Sequence, residues 1–93
     1  VVSTDTWIIN NKTGSSLTIT LPAASSSTGR ELNIQNYQSQ TVISNSSNIV
    51  YIGGGVAGTA ILAASIGDSA TLVSDGTNWV MMRYDSNNNL LLE

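Results

Sequence analysis

The chain has 93 residues, a formal net charge of −3, and charged side chains at only 10% of its positions. Its polarity comes from hydroxyl and amide groups, since Ser (14), Thr (10) and Asn (10) exceed a third of the sequence. The lack of cysteine and histidine excludes a disulfide framework, a zinc site of the usual kind, and thiol or imidazole chemistry. Three scattered basic side chains are too few to form a surface that binds nucleic acid. No apolar run approaches the ~20 residues of a membrane span, so we expect no membrane insertion.

The first half of the chain alternates β-branched runs with clusters rich in Ser, Asn and Gly, as antiparallel all-β domains do. Pro22 ends one of these runs, because proline cannot donate to a central ladder. The alternation predicts five strands, at Thr6–Asn10, Leu17–Leu21, Arg30–Asn36, Thr41–Ser44 and Asn48–Ile52.

The second half predicts two or three further strands. Ala60–Ile66 fits a strand or a turn or two of helix, because an alanine-rich stretch does not distinguish them. Ser69–Ser74 and Asn78–Tyr84 alternate clearly and are joined through Asp75-Gly76, a strong hairpin signal. We therefore predict a small antiparallel β-sandwich of about seven or eight short strands. It would form one domain over residues 1–86, followed by a polar tail at 87–93 that includes a candidate cloning scar.

The last predicted strand is apolar on both faces. Trp79 and Met81 face one way, whereas Val80 and Met82 face the other. One pair would pack in the core and the other would form an interface between copies of the chain, and the sequence does not say which.

Two motifs resemble ligand-binding loops. Gly53-x-Gly55-x-x-Gly58 matches a dinucleotide-binding fingerprint, but no βαβ unit surrounds it, so a flexible connection is the better interpretation. Asp85-x-Asn87-x-Asn89 resembles the start of a calcium loop, but Leu90 stands where that loop needs glycine. We therefore expect no metal and no cofactor.

Catalysis finds little support. Many serines are present but no imidazole to activate one, and Lys12 lies in a predicted turn. Asp68 and Asp75 flank one strand and form a conceivable glycosidase-like pair, yet loop aspartates more often form turns. We expect the chain not to be an enzyme.

Loops rich in Ser, Asn and Gln with isolated tyrosines suit hydrogen bonding and stacking against a glycan. The candidate receptor-binding residues are Tyr37, Gln38, Asn45 and Tyr51. Ordinary surface chemistry explains the same composition equally well.

Two sequence blocks carry a resemblance to a known family. Leu17–Ser25 with Thr28–Leu32, and Ala70–Val80, resemble a pattern common in tail fibre and tail spike proteins of bacteriophages and prophages. The resemblance implies a β-structured module near the distal, C-terminal end of a homotrimeric fibre. The missing initiator methionine and the doubly apolar last strand fit such a module.

The resemblance implies a non-enzymatic module that attaches the virion to a host bacterial surface receptor, a polysaccharide or lipopolysaccharide. Such a fibre is made in the bacterial cytoplasm, belongs to the virion tail and acts outside the cell after release. An alternative is a purely structural clamp that holds three chains in register, and a third is a fragment of a polysaccharide depolymerase.

Overall fold

The structure is a computed structural model that describes residues 6–87 and 89–91, and within them it is nearly all β. A single 3-10 turn at Ala24–Ser26 interrupts the strands. Ala60–Leu62 is a strand, which resolves the ambiguity at that stretch. The strands are β1 (Trp7–Asn10), β2 (Leu17–Ile19), β3 (Glu31–Asn36), β4 (Val42–Ser44), β5 (Ile49–Tyr51), β6 (Ala60–Leu62), β7 (Ser69–Ser74), β8 (Trp79–Tyr84) and β9 (Leu90–Leu91).

The strands form two sheets. The larger has the order β1-β3-β7-β8-β5, with β9 also beside β8, and the smaller has the order β2-β4-β6. The all-β prediction is confirmed, but the sheets are mixed and not antiparallel as expected. β1 pairs with β3, β2 with β4, and β5 with β8 in parallel. Consecutive strands from β1 to β4 alternate between the sheets, so each returns to its own sheet in the same direction.

The first four strands form two stacked coils. The first coil comprises β1, β2 and the loop between them, and the second comprises β3, β4 and their loop. Trp7 pairs with Asn33 and Leu17 with Val42, so equivalent positions are 26 and 25 residues apart. This is an internal repeat that sequence inspection missed, because few residue identities are shared between the coils.

The core lies between the two sheets. Leu32, Ile34 and Leu72 of the larger sheet are fully buried, as is Ile61 of the smaller one. Trp79 and Met81 are also 0% exposed, so the inward face of β8 is the core face. Trp79 and Met81 are therefore the pair of β8 residues that packs in the core of the chain.

The opposite face of the larger sheet is not covered by the smaller sheet. We call it the outer face. Val50, Val73, Val80, Met82 and Tyr84 form a half-buried, mostly apolar patch on this face, whereas Asn33, Gln35, Ser69 and Thr71 of β3 and β7 place polar side chains on it. Trp7 and Ile9 on β1 lie beyond the polar side chains of β3 and are 61% and 54% exposed. Among the outward side chains of the described strands, only Glu31 on β3 carries a charge.

Candidate functional site

Two loops lie side by side at one end of the sandwich. They comprise residues 11–16, between β1 and β2, and residues 37–41, between β3 and β4, and we call them the stacked loops. The Tyr37 amide donates to the Asn10 carbonyl and the Leu17 amide to the Thr41 carbonyl, both over 2.9 Å. Because the two coils run in parallel, their strands end and begin together, and the loops are held in contact.

A buried, hydrogen-bonded pair of asparagines lies at the base of the stacked loops, where β1 and β3 end. Asn10 Nδ2 donates to Asn36 Oδ1 over 2.7 Å. Asn36 Nδ2 in turn donates to the carbonyls of Gln40 and Ala63, over 2.8 and 3.0 Å. Asn10 and Asn36 are 1% and 0% exposed, so the bond between them forms away from water. We call this series the asparagine ladder, and it fixes the register of the two coils.

The structure places two of the four predicted receptor residues together. Tyr37 and Gln38 lie in the second stacked loop, where Tyr37 is 56% exposed. Gln38 Nε2 donates to Asn11 Oδ1 over 2.8 Å, which fixes its amide against the first loop. Asn45 is exposed, but it follows β4 at the end away from Tyr37, where its backbone amide donates to the Ile19 carbonyl. It therefore does not share a surface with Tyr37.

Tyr51, the fourth predicted residue, has a different environment. It is half-buried against the core, and the Arg83 guanidinium carbon lies 5.6 Å from the centre of its ring. Arg83 Nε is buried and has no hydrogen-bond partner among the described residues, so the ring face provides its favourable contact. That face of Tyr51 is occupied, so it is a poor platform for a sugar.

The stacked loops present mostly neutral hydrogen-bonding groups. Asn11, Ser15 and Ser16 of the first loop are exposed, and the Ser16 and Thr41 hydroxyls are 2.5 Å apart. Lys12 is the one charged side chain in the two loops. Sequence reasoning missed the first loop as part of this surface, and the 26-residue repeat was the signal that could have joined it to Tyr37.

The two aspartates that flank β7 lie at opposite ends of that strand. Six residues, Ser69–Ser74, separate them, which corresponds to roughly 20 Å at the usual strand rise. Burial raises the pKa of the Asp68 carboxyl, and the charge of Arg83 partly opposes the rise. The backbone amides of Asn78 and Thr77 donate to the Asp75 carboxylate and lower its pKa. The spacing exceeds the roughly 5–9.5 Å of glycosidase carboxyl pairs.

The glycine motif lies in the connection between β5 and β6. Gly54 and Gly55 adopt positive φ angles of 94° and 128°, and Gly58 pairs with Ile49. A strand follows instead of a helix, so the motif lacks the helix N-terminus that binds phosphate in dinucleotide sites. The interpretation as a flexible connection agrees with this geometry.

The calcium-like segment forms a closed turn. Asp85 Oδ1 accepts the amides of Asn87 and Asn89, both over 2.9 Å, and these bonds lower the pKa of its carboxyl. Within residues 6–87 and 89–91, no three His, Cys, Asp or Glu side chains are grouped so as to hold a metal ion.

No protein family, curated protein or solved structure was found to match this chain. In the part of the chain that the structure describes, no helix has the length and apolar character to cross a membrane.

Proposed function

We propose that this chain is a non-enzymatic module of a bacteriophage tail fibre, which assembles as a homotrimer and attaches the virion to a polysaccharide or lipopolysaccharide of the host surface. The outer face of the larger sheet carries the proposal, and the stacked loops and the two resembling sequence blocks support it. The module would be made in the bacterial cytoplasm and act in the virion tail outside the cell.

The outer face supports self-association because it is nearly uncharged and carries an apolar patch across β7, β8 and β5. Val80 pairs with Val73 on one side and with Val50 on the other, which gives a continuous aliphatic row across three strands. Each half-buried Val or Met has on the order of 1 kcal/mol still to gain on full burial. Three copies that bury this face around one axis would remove it from water.

The stacked loops support attachment to a polysaccharide. Tyr37 offers an exposed aromatic ring beside the fixed amide of Gln38 and the exposed hydroxyls of the first loop. Sugar rings stack on aromatic side chains, and their hydroxyls bond to amides and hydroxyls. A surface with one cation suits a neutral or weakly anionic glycan.

The assembly is tested by light scattering and sedimentation at micromolar concentration. We expect a trimer for the unchanged chain and a monomer for Val80→Lys, because the new charge would be buried at the interface. Thr18→Lys on the exposed face of the smaller sheet is the matched control and should leave a trimer. A stable monomer of the unchanged chain would count against the proposal.

Attachment is tested separately, by binding to arrays of bacterial polysaccharides and lipopolysaccharides. Tyr37→Ala should reduce binding about tenfold or more, whereas Asn45→Ala at the far end of β4 should not. The alternative function is a structural clamp without a receptor site. A trimer that binds no bacterial glycan would favour that clamp, and release of shortened glycan would indicate a depolymerase.

A further inference from the structure

Among residues 6–87 and 89–91, no strand lies beside the outer edges of the two strands of the first coil, which are at the same end of the sandwich. β1 and β2 are the outermost strands of their sheets. The Thr6 carbonyl accepts the Asn33 amide of β3, and the Asn10 carbonyl accepts the amide of Tyr37, which follows β3. Because backbone groups alternate in direction along a strand, those of Trp7 and Ile9 face away from β3. The Leu17 amide donates to the Thr41 carbonyl and the Ile19 carbonyl accepts the Asn45 amide, at the two ends of β4. The backbone groups of Thr18 therefore face away from β4.

The opposite edge of the larger sheet is better covered. Ile49 of β5 exchanges two hydrogen bonds of 2.9 Å with Gly58, which lies on the side of β5 away from β8. Arg83 and Tyr84 at the other end of β8 pair with β9. The two edges therefore differ, and the open one belongs to the first coil.

The asparagine ladder has a direction that points to what the open edge receives. Each ladder amide donates toward the next layer, from Asn10 to Asn36 and from Asn36 to the Ala63 carbonyl. Asn10 Oδ1 accepts the Lys12 amide over 3.1 Å, and a carbonyl oxygen has a second lone pair. Asn10 is 1% exposed in this chain, so a further asparagine would donate to this oxygen only when the docking coil replaces the groups that now cover it.

We propose that the open edge of β1 and β2 receives one further parallel coil, contributed by an upstream stretch of the same fibre polypeptide. Chain order runs from the first coil to the second, away from the open edge, so the occupant precedes β1. A coil takes 25 or 26 residues, judged from the existing register. The inference rests on the proposed function, because it requires a longer fibre chain of which this domain is part.

The existing coils define the sequence that such a coil needs. Its first strand requires an apolar residue at the position of Ile8 and asparagine at the position of Asn10, since Ile34 and Asn36 repeat them in the second coil. Its second strand requires an apolar residue above Leu17, which pairs with Val42.

A tandem variant tests the proposal. It carries a second copy of residues 6–31 directly before Thr6, so that the copied β1 precedes the original by the natural 26 positions. Amide hydrogen exchange is measured at Trp7 and Ile9 of the original copy. We expect at least tenfold slower exchange at both amides than in the unchanged chain, because a docked coil would pair them.

Ile9→Pro in the original copy is the control. The Ile9 amide faces away from β3, so the change should leave the single-copy domain folded but abolish the added protection of Trp7 in the tandem protein. Unchanged exchange at Trp7 in a folded tandem protein would overturn the inference.

A second measurement covers a tandem protein that does not fold. A synthetic peptide with the sequence of residues 6–21 is added to the unchanged chain, and Trp7 and Ile9 exchange is followed. Concentration-dependent protection supports the docking edge, and none at millimolar peptide contradicts it. Because the readout is local to β1, a failure here is distinct from loss of the trimer or of glycan binding.

Discussion

Trp79 Nε1 donates a hydrogen bond of 3.1 Å to the carbonyl of Pro22, and so joins β8 of the larger sheet to the segment that follows β2 of the smaller one. Trp79 is also the largest fully buried side chain. Its ring fills the core while its polar atom is satisfied, which is the condition for burying tryptophan.

Trp79→Phe should lower the free energy of unfolding by about 2 kcal/mol, through the lost bond and the volume left unfilled. Urea unfolding followed by circular dichroism measures the change. Trp7→Phe is the matched comparison, since Trp7 is 61% exposed in the single chain and lies outside its core, and should cost less than Trp79→Phe. Equal effects at the two positions would contradict the assigned core face.

Asn36→Ala should destabilise the domain by about 2–4 kcal/mol. It removes the acceptor of the Asn10 amide and the donor to the carbonyls of Gln40 and Ala63, and so leaves buried polar groups unpaired. Chemical unfolding provides the measurement. Asn45→Ala, at an exposed turn, should have little effect on stability. A loss below about 0.5 kcal/mol at Asn36 would show that the asparagine ladder does not hold the coils.

Gly67→Ala should be more destabilising than Gly14→Ala, although both glycines have positive φ angles, 91° and 82°. A Cβ at Gly67 would lie 2.8 Å from Ser86 Cβ, whereas one at Gly14 would meet nothing within 4 Å. We expect about 1 kcal/mol at Gly14 and about 2–3 kcal/mol at Gly67. In a double-mutant cycle of unfolding free energies, Ser86→Gly should recover part of the difference, and additive effects would argue against this contact.

Asp68→Asn should stabilise the domain at neutral pH and have little effect in acid. Burial raises the pKa of Asp68 in the folded state, so ionisation above that pKa disfavours folding. Below the pKa of the unfolded chain the carboxyl is protonated in both states, and the penalty is absent. Unfolding free energies at pH 7 and pH 3 measure the difference, and a destabilised variant at pH 7 would contradict the assignment.

The pKa values of Asp75 and Asp85 shift in the opposite direction to that of Asp68, because backbone amides donate to both carboxylates and lower their pKa. Their contribution to stability is present above the unfolded pKa and is lost as the pH falls through the folded one. Asp75→Ala should therefore weaken the domain at pH 7 but not at pH 2. Equal loss at both pH values would point to a cause other than the carboxylate.

The sequence predicted strand positions well wherever one face is buried. Leu32 and Ile34 alternate with polar residues, and β3 lies within the predicted Arg30–Asn36. The predicted antiparallel direction holds for four strand pairs and is wrong for β1–β3, β2–β4 and β5–β8, because alternation identifies the buried face of a strand and not its neighbour. Neither Asn10 nor Asn36 is distinguishable by composition from the many exposed asparagines, so the ladder could not be predicted. The coil repeat was missed because few identities support it.

The candidate site shows the same division. Tyr37 was predicted as an exposed aromatic, and the structure exposes it. Tyr51 was predicted on the same grounds, but its exposure depends on Arg83, which lies 32 positions away and reaches it only because β5 pairs with β8. The residues next to Tyr51 in the sequence do not indicate that Arg83 lies over its ring.

The position of β7 and β8 at the centre of the larger sheet sets the order in which the chain can fold. β1, β3 and β5 are made early, yet β3 and β5 need strands from the last third of the chain as neighbours. During synthesis the first sixty or so residues therefore emerge without most of their sheet, and closing these long loops slows folding. The core needs Trp79 and Met81 of β8, so truncation before β8 should abolish the folded domain although the smaller sheet is complete at Leu62.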